Sequence, residues 1–189
     1  MGYKGVVVRA TGSWYDVLSE GVTYNCRIRG KLRLKGVRST SPVVVGDVVS
    51  FELSGEQENE GLITDVDQRR NYIIRRASNL SKESHIIAAN IDQAMIVATL
   101  ASPPTATEFI DRFLITCEAY KIPAIIILAK IDLAEEMVDR VEEFKSIYQL
   151  AGYEVIEISA LRGDGMEQLK ERLRGVTTLI SGNSGVGKS

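Results

Sequence analysis

The sequence ends in Gly182-Asn183-Ser184-Gly185-Val186-Gly187-Lys188-Ser189, a full match to the pattern Gly-x-x-x-x-Gly-Lys-Ser/Thr. An apolar stretch, residues 177–180, comes directly before it. Glycines let the backbone curl so that successive N–H groups point at one anion. Lys188 adds charge at the β- and γ-phosphates, and the Ser189 hydroxyl can ligate Mg²⁺. A chance Gly-rich turn is the alternative, but the preceding strand favours a phosphate-binding loop.

The residues before this loop alternate between apolar runs and amphipathic stretches. We predict strands at 93–100, 124–128, 154–158 and 177–180, and helices at 105–121, 134–151 and 166–173. The first two strands are nearly continuous apolar runs, which is typical of parallel strands covered on both faces. Thr105 and Glu108 have the spacing of a capping box at the start of the first helix. This half of the chain is therefore predicted to form a parallel α/β sheet with helices on both faces.

A second motif, Ala129-Lys130-Ile131-Asp132, follows the predicted strand at 124–128. A carboxylate at that end of a parallel strand can accept hydrogen bonds from guanine N1–H and the 2-amino group. Adenine offers neither donor, so Asp132 would select guanine. Ser159-Ala160 follows the next strand, where small residues would let a backbone N–H approach guanine O6. Taken alone, Asp132 is equally well read as a helix N-terminal residue, and Ser159-Ala160 as a plain loop; their occurrence together with the phosphate loop favours a nucleotide site.

The first seventy residues have a different pattern, with short apolar stretches separated by glycines. Strands are predicted at 3–10, 13–18, 22–28, 43–53 and 62–66. Gly46-Asp47 interrupts the fourth, as expected if a turn or bulge lets one long strand bend around a barrel corner. An OB-type barrel is thus predicted for residues 1–68, a linker for 69–91, and the α/β domain for 92–189.

The amino-acid composition excludes several classes of protein. The 189 residues carry a net charge of −2, with 23 basic and 25 acidic side chains, and two cysteines. Two distant cysteines cannot form a disulfide framework or a thiolate zinc cage, so a reducing, cytoplasmic setting is expected. With His85 as the only histidine, a two-histidine metal site is excluded. No apolar run approaches the roughly 20 residues needed to cross a bilayer, so no membrane partner is expected.

Positive charge is concentrated in one stretch of the predicted barrel. Basic residues recur at every second position and once beyond, with no acid between them: Arg27, Arg29, Lys31, Arg33, Lys35 and Arg38. In an extended chain the first five share one face. An OB barrel with such a stripe is suited to following an RNA backbone. An ordinary solvated strand face is the alternative interpretation.

Together these motifs resemble the circularly permuted GTPases of the ribosome small subunit-dependent GTPase A family, also called the RsgA, YjeQ or YloQ family. Lys130-x-Asp132 is similar to the guanine-specificity motif Asn/Thr-Lys-x-Asp, Ser159-Ala160 to the following Ser-Ala motif, and the terminal eight residues to the phosphate loop. In ordinary GTPases the phosphate loop comes first. The inverted order, behind a barrel and the segment from Arg69 to Arg76, is specific to this family.

The resemblance implies a GTP hydrolase that assists small ribosomal subunit maturation and binds rRNA through its barrel. GTP or GDP would contact Ala129, Lys130, Ile131, Asp132, Ser159, Ala160, Gly182, Asn183, Ser184, Gly185, Val186, Gly187, Lys188 and Ser189. Lys188 and Ser189 would take part in catalysis, with Mg²⁺ on Ser189. The family's Zn²⁺ belongs to a C-terminal domain that is absent from these residues.

Two departures from the family pattern carry expectations of their own. Ala129 replaces the usual Asn, whose side chain reaches guanine N7 and braces the phosphate loop. The residues also stop at the phosphate loop, which would make this an N-terminal portion of the protein. We therefore expect this portion to hydrolyse no GTP, to bind it very weakly, and to self-associate through the strand at 177–180, whereas the full-length protein would be monomeric.

Two other functions remain open from the sequence. One is an RNA-binding module whose nucleotide domain is a non-hydrolysing docking element. The other is an ATP-dependent enzyme, which Asp132 disfavours.

Overall fold

The first five strands of the chain form one closed sheet. The computed structural model describes residues 2–30, 42–54, 59–75 and 85–188. The strands are β1 (Tyr3–Thr11), β2 (Trp14–Ser19), β3 (Val22–Ile28), β4 (Val48–Leu53) and β5 (Glu60–Val66). They form a closed barrel in the order β1-β2-β3-β5-β4, in which β3 and β5 are parallel and the other pairs antiparallel. The predicted OB-type barrel is confirmed.

The barrel core is filled by side chains from every strand. Val7, Val17, Cys26, Phe51 and Ile63 are almost completely buried. The Phe51 ring also lies 5.5 Å from the ring of Tyr3 and 5.0 Å from that of Tyr24, centre to centre. Because neighbouring residues on a strand face opposite ways, Tyr15 is buried in this core while Trp14 lies half-buried on the outer face.

The predicted long strand over 43–53 is wrong in its first part, because β4 begins only at Val48. The Asp47 carboxylate accepts a hydrogen bond from the Val44 N–H at 2.8 Å, which closes a turn before the strand. Gly46 has φ +90°, and a Cβ there would lie 2.0 Å from the Ala89 carbonyl oxygen, so the turn requires glycine. Arg69 donates to both Asp47 oxygens, at 2.7 and 2.8 Å. This buried ion pair anchors the turn.

The segment predicted as a linker contains two strands that sequence reasoning missed. β6 (Tyr72–Arg75) and β7 (His85–Ala89) pair antiparallel. Ile86 and Ala89 form a small buried cluster with Val44, and Tyr72 and Ile74 of β6 pack against it. The chain divides into two compact units, Met1–Asn90 and Ile91–Ser189. Most of the segment predicted as a linker therefore belongs to the same unit as the barrel. The domain limits given above stay a prediction.

The second unit is built on four parallel strands. They are β8 (Gln93–Ala98), β9 (Ala124–Ala129), β10 (Glu154–Ile158) and β11 (Thr178–Gly182), in the order β10-β9-β8-β11. The helices are α1 (Thr107–Ala119), α2 (Val138–Leu150) and α3 (Met166–Leu173).

Successive residues of the central strands of this sheet pack against opposite faces. Ile96 and Ile126 belong to a cluster with Ile110 of α1 and Phe144 of α2. Their neighbours Met95, Val97, Ile125 and Ile127 form a second cluster, against which residues of α3 pack. The predicted parallel sheet with helices on both faces is confirmed.

The predicted capping box at α1 is wrong. The helix begins after Ala106, and no side chain caps its first turn. Thr105 instead accepts a hydrogen bond at its Oγ1 from the Thr99 N–H, at 3.1 Å. The Thr105 side chain therefore stabilises the loop after β8 and does not cap the helix. Within the described ranges, no helix is long and apolar enough to span a membrane.

Candidate functional site

One end of the site, here called the base end, lies where β9 and β10 finish. Ala129 is the last residue of β9 and is buried. Lys130 follows in the left-handed conformation, with φ +59°, and turns the chain into a short 3₁₀ turn, Ile131–Leu133. This turn places Asp132 half-buried beside the residues that follow β10.

Ser159 joins the two loops of the base end. It is completely buried, and its hydroxyl donates to Asp132 Oδ1 at 2.5 Å. The same hydroxyl oxygen accepts the Arg162 N–H at 3.2 Å. The Ser159 backbone is held as well, since its N–H donates to the Asp164 carbonyl and its carbonyl accepts the Gly163 N–H. A side-chain role for Ser159 was not foreseen, whereas Ala160 is exposed and its backbone role stays a prediction.

Arg162 adds a charged contact across the same two loops. Its guanidinium donates to the Glu135 carboxylate and, at 3.5 Å, to the Asp132 carbonyl oxygen. The hydrogen bond that Arg162 donates to Glu135 is the main reason that the pKa of Arg162 is raised above its ordinary value. Sequence reasoning missed both residues, because no motif marks them.

The other end, here called the phosphate end, is the loop after β11. Gly182 ends the strand with φ +153°, and a Cβ at this position would lie 2.6 Å from the Val97 carbonyl oxygen. Val186 has no exposed surface and packs into the core cluster of β8, β9 and β10. Gly185 and Gly187, on either side of it, both have positive φ. The pattern Gly-x-x-x-x-Gly thus lets the loop turn tightly around one buried anchor.

Polar contacts complete the phosphate end. The Lys188 ammonium donates to the Asn183 carbonyl oxygen at 2.5 Å, so it lies against the backbone of its own loop. Ser184 is exposed and Asn183 is half-buried. Ser189, the predicted metal ligand, lies outside the described residues. Elsewhere in the described ranges, no group of three or more His, Cys, Asp and Glu side chains could hold a metal ion.

Lys130 connects the base end to the phosphate end. Its ammonium donates to the Gly185 carbonyl oxygen at 2.6 Å and to the Ser102 carbonyl oxygen at 2.6 Å. Ser102 belongs to the loop after β8, where the Thr99 hydroxyl also donates to the Pro103 carbonyl. The run Ser102-Pro103-Pro104 between a strand and a helix was the available signal for this third loop. The structure thus brings together the loops that follow β8, β9 and β11.

The predicted basic stripe is described only at its start. Arg27 of β3 and Arg29, which follows the strand, are exposed, while Lys31, Arg33, Lys35 and Arg38 lie outside the described residues. Arg29 forms a 3.0 Å ion pair with Glu52 of β4. No acid interrupts the stripe in sequence, but in the barrel β4 supplies one from the far side of β5. Arg27 instead lies over the Trp14 ring, with Cζ 3.7 Å from the ring centre.

The order of these parts defines the class of fold. A phosphate loop that comes last, behind the base-end loops and a closed five-stranded barrel, is the arrangement of a circularly permuted P-loop GTPase. The sequence model of the RsgA GTPase family matches residues 66–189, and that of the RsgA N-terminal domain matches residues 4–63. The chain belongs to the RsgA GTPase family.

Similar proteins cover the whole chain. Two relatives bear the name small ribosomal subunit biogenesis GTPase RsgA: one from Christiangramia forsetii is 50% identical over 190 residues, and one from Bacteroides fragilis is 49% identical over 188. Each match covers 98% of this chain and 60% of the relative. The chain therefore spans well under two thirds of the length of the curated relatives it matches.

Two solved structures share the fold. YjeQ from Thermotoga maritima is 32% identical with a TM-score of 0.79, and the match covers 100% of this chain and 63% of that one. YloQ, described as a circularly permuted GTPase, is 29% identical with a TM-score of 0.74, and the match covers 100% and 62%.

Proposed function

We propose that this chain carries the guanine-nucleotide site of a GTP hydrolase that acts in small ribosomal subunit biogenesis in the cytoplasm. The observation that carries the proposal is the position of Asp132. Asp132 lies shortly after the end of β9, and its carboxylate accepts a hydrogen bond from the Ser159 hydroxyl. Lys130, two residues before Asp132, donates a hydrogen bond to the phosphate loop. The names of the relatives supply the biological process.

Base selection would follow from the free oxygen of Asp132. Oδ1 accepts the Ser159 hydroxyl, which leaves Oδ2 and further lone pairs for an incoming base. Guanine offers two adjacent donors, N1–H and the 2-amino group, whereas adenine presents an acceptor at N1. A carboxylate would therefore form two hydrogen bonds with guanine. With adenine it would face the lone pair on N1 and form no hydrogen bond there. A bidentate base contact of this kind discriminates by about 1–3 kcal/mol.

Phosphate binding would fall to the loop between Gly182 and Ser189. Its glycines free the backbone N–H groups to converge on an anion, and the Lys188 ammonium lies within the same loop. Mg²⁺, which lowers the charge of the phosphates in such enzymes, would take the hydroxyl of Ser189 as a ligand. Lys188 would balance the charge that develops on the γ-phosphate during attack by water.

RNA binding by the barrel is the second part of the proposal. It is supported by the exposed Arg27 and by the five cations that follow it in sequence without an acid among them. If all six stripe cations met phosphates, log K would fall with log[salt] at a slope of about −4 to −5. Neutral substitution of the five odd-numbered residues should flatten the slope, and a slope that does not respond would place the RNA surface elsewhere; the five are Arg27, Arg29, Lys31, Arg33 and Lys35.

The test of the proposed enzyme uses the complete reading frame. GTP turnover should be measurable, and addition of small ribosomal subunits should change its rate. A protein that binds RNA and guanine nucleotide without turnover under either condition would be a non-hydrolysing docking module instead. Tighter binding of ATP than of GTP would remove the basis for a guanine site.

We also propose that the 189-residue chain self-associates through the edge of β11. Among the described strands, β11 pairs with β8 alone, and its Ile180 is 46% exposed. An unpaired strand edge is a template for pairing with a second chain. Size-exclusion chromatography should show a species that dissociates on dilution and is weakened by Ile180→Lys. The matched change Ile115→Lys, on the exposed face of α1, should leave it unaltered. A monomer at every concentration would contradict this proposal.

A further inference from the structure

The outer face of β2 and β3 presents a stacked pair of side chains that the nucleotide site does not use. Tyr15 pairs with Cys26 in the sheet register, so the next position places Trp14 opposite Arg27. The Arg27 guanidinium carbon lies 3.7 Å from the centre of the Trp14 ring. Trp14 is half-buried and Arg27 is exposed. One face of the guanidinium is thus covered by indole, and the rest of the group lies at the surface.

The ionic surroundings of Arg27 differ from those of the neighbouring arginines. Arg29 is paired with Glu52 at 3.0 Å, and Arg9 lies 3.9 Å from Asp16. Among the residues that the structure describes, Arg27 contacts no carboxylate within ion-pair distance, and its guanidinium lies against the Trp14 ring. Within those residues no acid neutralises its charge, which can therefore serve an anionic ligand.

We propose that Trp14 and Arg27 form a stacking platform for one unpaired base of single-stranded RNA. This inference rests on the proposed function of the barrel as an RNA-binding unit. A planar guanidinium stacks on aromatic rings, and a base laid on its outer face would continue the Trp14–Arg27 stack. The guanidinium N–H edge can meanwhile donate to a flanking phosphate.

The barrel holds this platform ready before RNA arrives. Tyr15 and Cys26, the residues next to Trp14 and Arg27, are buried in the core, which fixes the backbone of both strands. Because the Arg27 guanidinium already lies on the Trp14 ring, its side chain has little rotamer freedom left to lose on binding, which favours affinity. Duplex RNA cannot use the platform, because its bases are stacked on one another and its surface displays sugars and phosphates.

The single tryptophan of the chain makes the platform directly observable. We expect a ten-nucleotide oligoadenylate to change Trp14 fluorescence when titrated into the 189-residue chain at low salt. An abasic chain of the same length and charge should bind about tenfold more weakly, since base stacking is lost while phosphate contacts remain. A blunt RNA duplex should leave the fluorescence unchanged.

The decisive variant is Arg27→Lys, which keeps the charge and removes the planar group. It should weaken oligoadenylate binding about tenfold, leave abasic binding unchanged, and leave the salt slope as it was. Arg9→Lys is the matched control, an exposed arginine on the neighbouring strand that should have no effect. Continued protection of the buried Cys26 thiol verifies that the barrel of each variant is folded.

Each result separates this inference from the function it rests on. If Arg27→Lys and Trp14→Leu bind oligoadenylate as tightly as the unaltered chain does, the platform is refuted while RNA binding by the barrel stands. If the unaltered chain binds no oligonucleotide at low salt, the proposed RNA-binding function falls and the platform with it. If polyglutamate changes Trp14 fluorescence as strongly as oligoadenylate does, the surface serves an acidic protein and the inference is overturned.

Discussion

At the base end of the site, β9 lies between β8 and β10, and all but the first of its residues are buried. At the phosphate end, β11 pairs only with β8 among the described strands, and most of its residues are half-buried. The loops at the base end are joined through Asp132, Ser159 and Arg162. The phosphate loop is held from outside by buried Val186 and by Lys130.

This difference indicates how the two ends depend on each other. The base end is supported by its own strands and its own hydrogen bonds. The phosphate end depends on a side chain that the base end supplies, because the Lys130 ammonium donates a hydrogen bond to the Gly185 carbonyl oxygen. Nucleotide affinity should therefore be most sensitive to substitutions at the contact between the two ends. Base selectivity should be most sensitive to substitutions at the contact between the two base-end loops.

The largest effect is expected from Lys130→Met. The change keeps the aliphatic stem and removes the hydrogen bonds to Gly185 and Ser102. Loss of charge-assisted hydrogen bonds of this kind should weaken GDP binding about tenfold. Calorimetric titration of GDP into the complete protein measures it. Lys170→Met, at an exposed i,i+3 pair on α3, is the control and should bind as before. Equal affinities for the two variants would show that the ends are independent.

A smaller and more selective effect is expected from Ser159→Ala. Asp132 loses the hydroxyl that orients its carboxylate, and the Arg162 N–H loses its acceptor. The preference for GTP over ATP should fall about fivefold, as for one lost hydrogen bond. Competition between the two nucleotides gives the ratio, with the exposed Ser146→Ala on α2 as reference. A fall in affinity for both nucleotides alike would mean that Ser159 supports the loop and not the base contact.

The smallest effect is expected from Ala129→Asn. Ala129 belongs to the same buried cluster as Val186, so a longer amide at this position lies next to the phosphate loop and can brace it. We expect guanine nucleotide to bind about two- to threefold more tightly, the gain of a fraction of one hydrogen bond. Weaker binding by the variant would show that packing around Ala129 leaves no room for the amide.

Local sequence pattern was sufficient for much of this architecture. Burial of β8 and β9 on both faces follows from runs such as Ile125-Ile126-Ile127-Leu128, and the limits of β3, β10 and α3 were predicted to the residue. The phosphate loop was identified because its glycines and Lys188 occupy fixed positions in one short stretch.

What the sequence did not reveal depends on contacts between distant residues. The ion pair of Asp47 with Arg69 joins positions 22 residues apart and replaces a strand by a turn. Glu52 neutralises Arg29 only because β4 lies in the same barrel. The hairpin of β6 and β7 was missed because its strands are too short to show a period. The Ser159 hydroxyl was missed because hydrogen bonding to Asp132 needs two loops that are adjacent only in the folded sheet.

The most direct test of the guanine site is competition between GTP and ATP for the complete protein and for Asp132→Ala. The unaltered protein should prefer GTP by at least about tenfold, as one bidentate base contact allows. Asp132→Ala should lose most of that preference through weaker GTP binding, with ATP binding little changed. An unaltered protein that binds both nucleotides equally, or a variant that keeps the full preference, would contradict the assignment of Asp132 and of the site built around it.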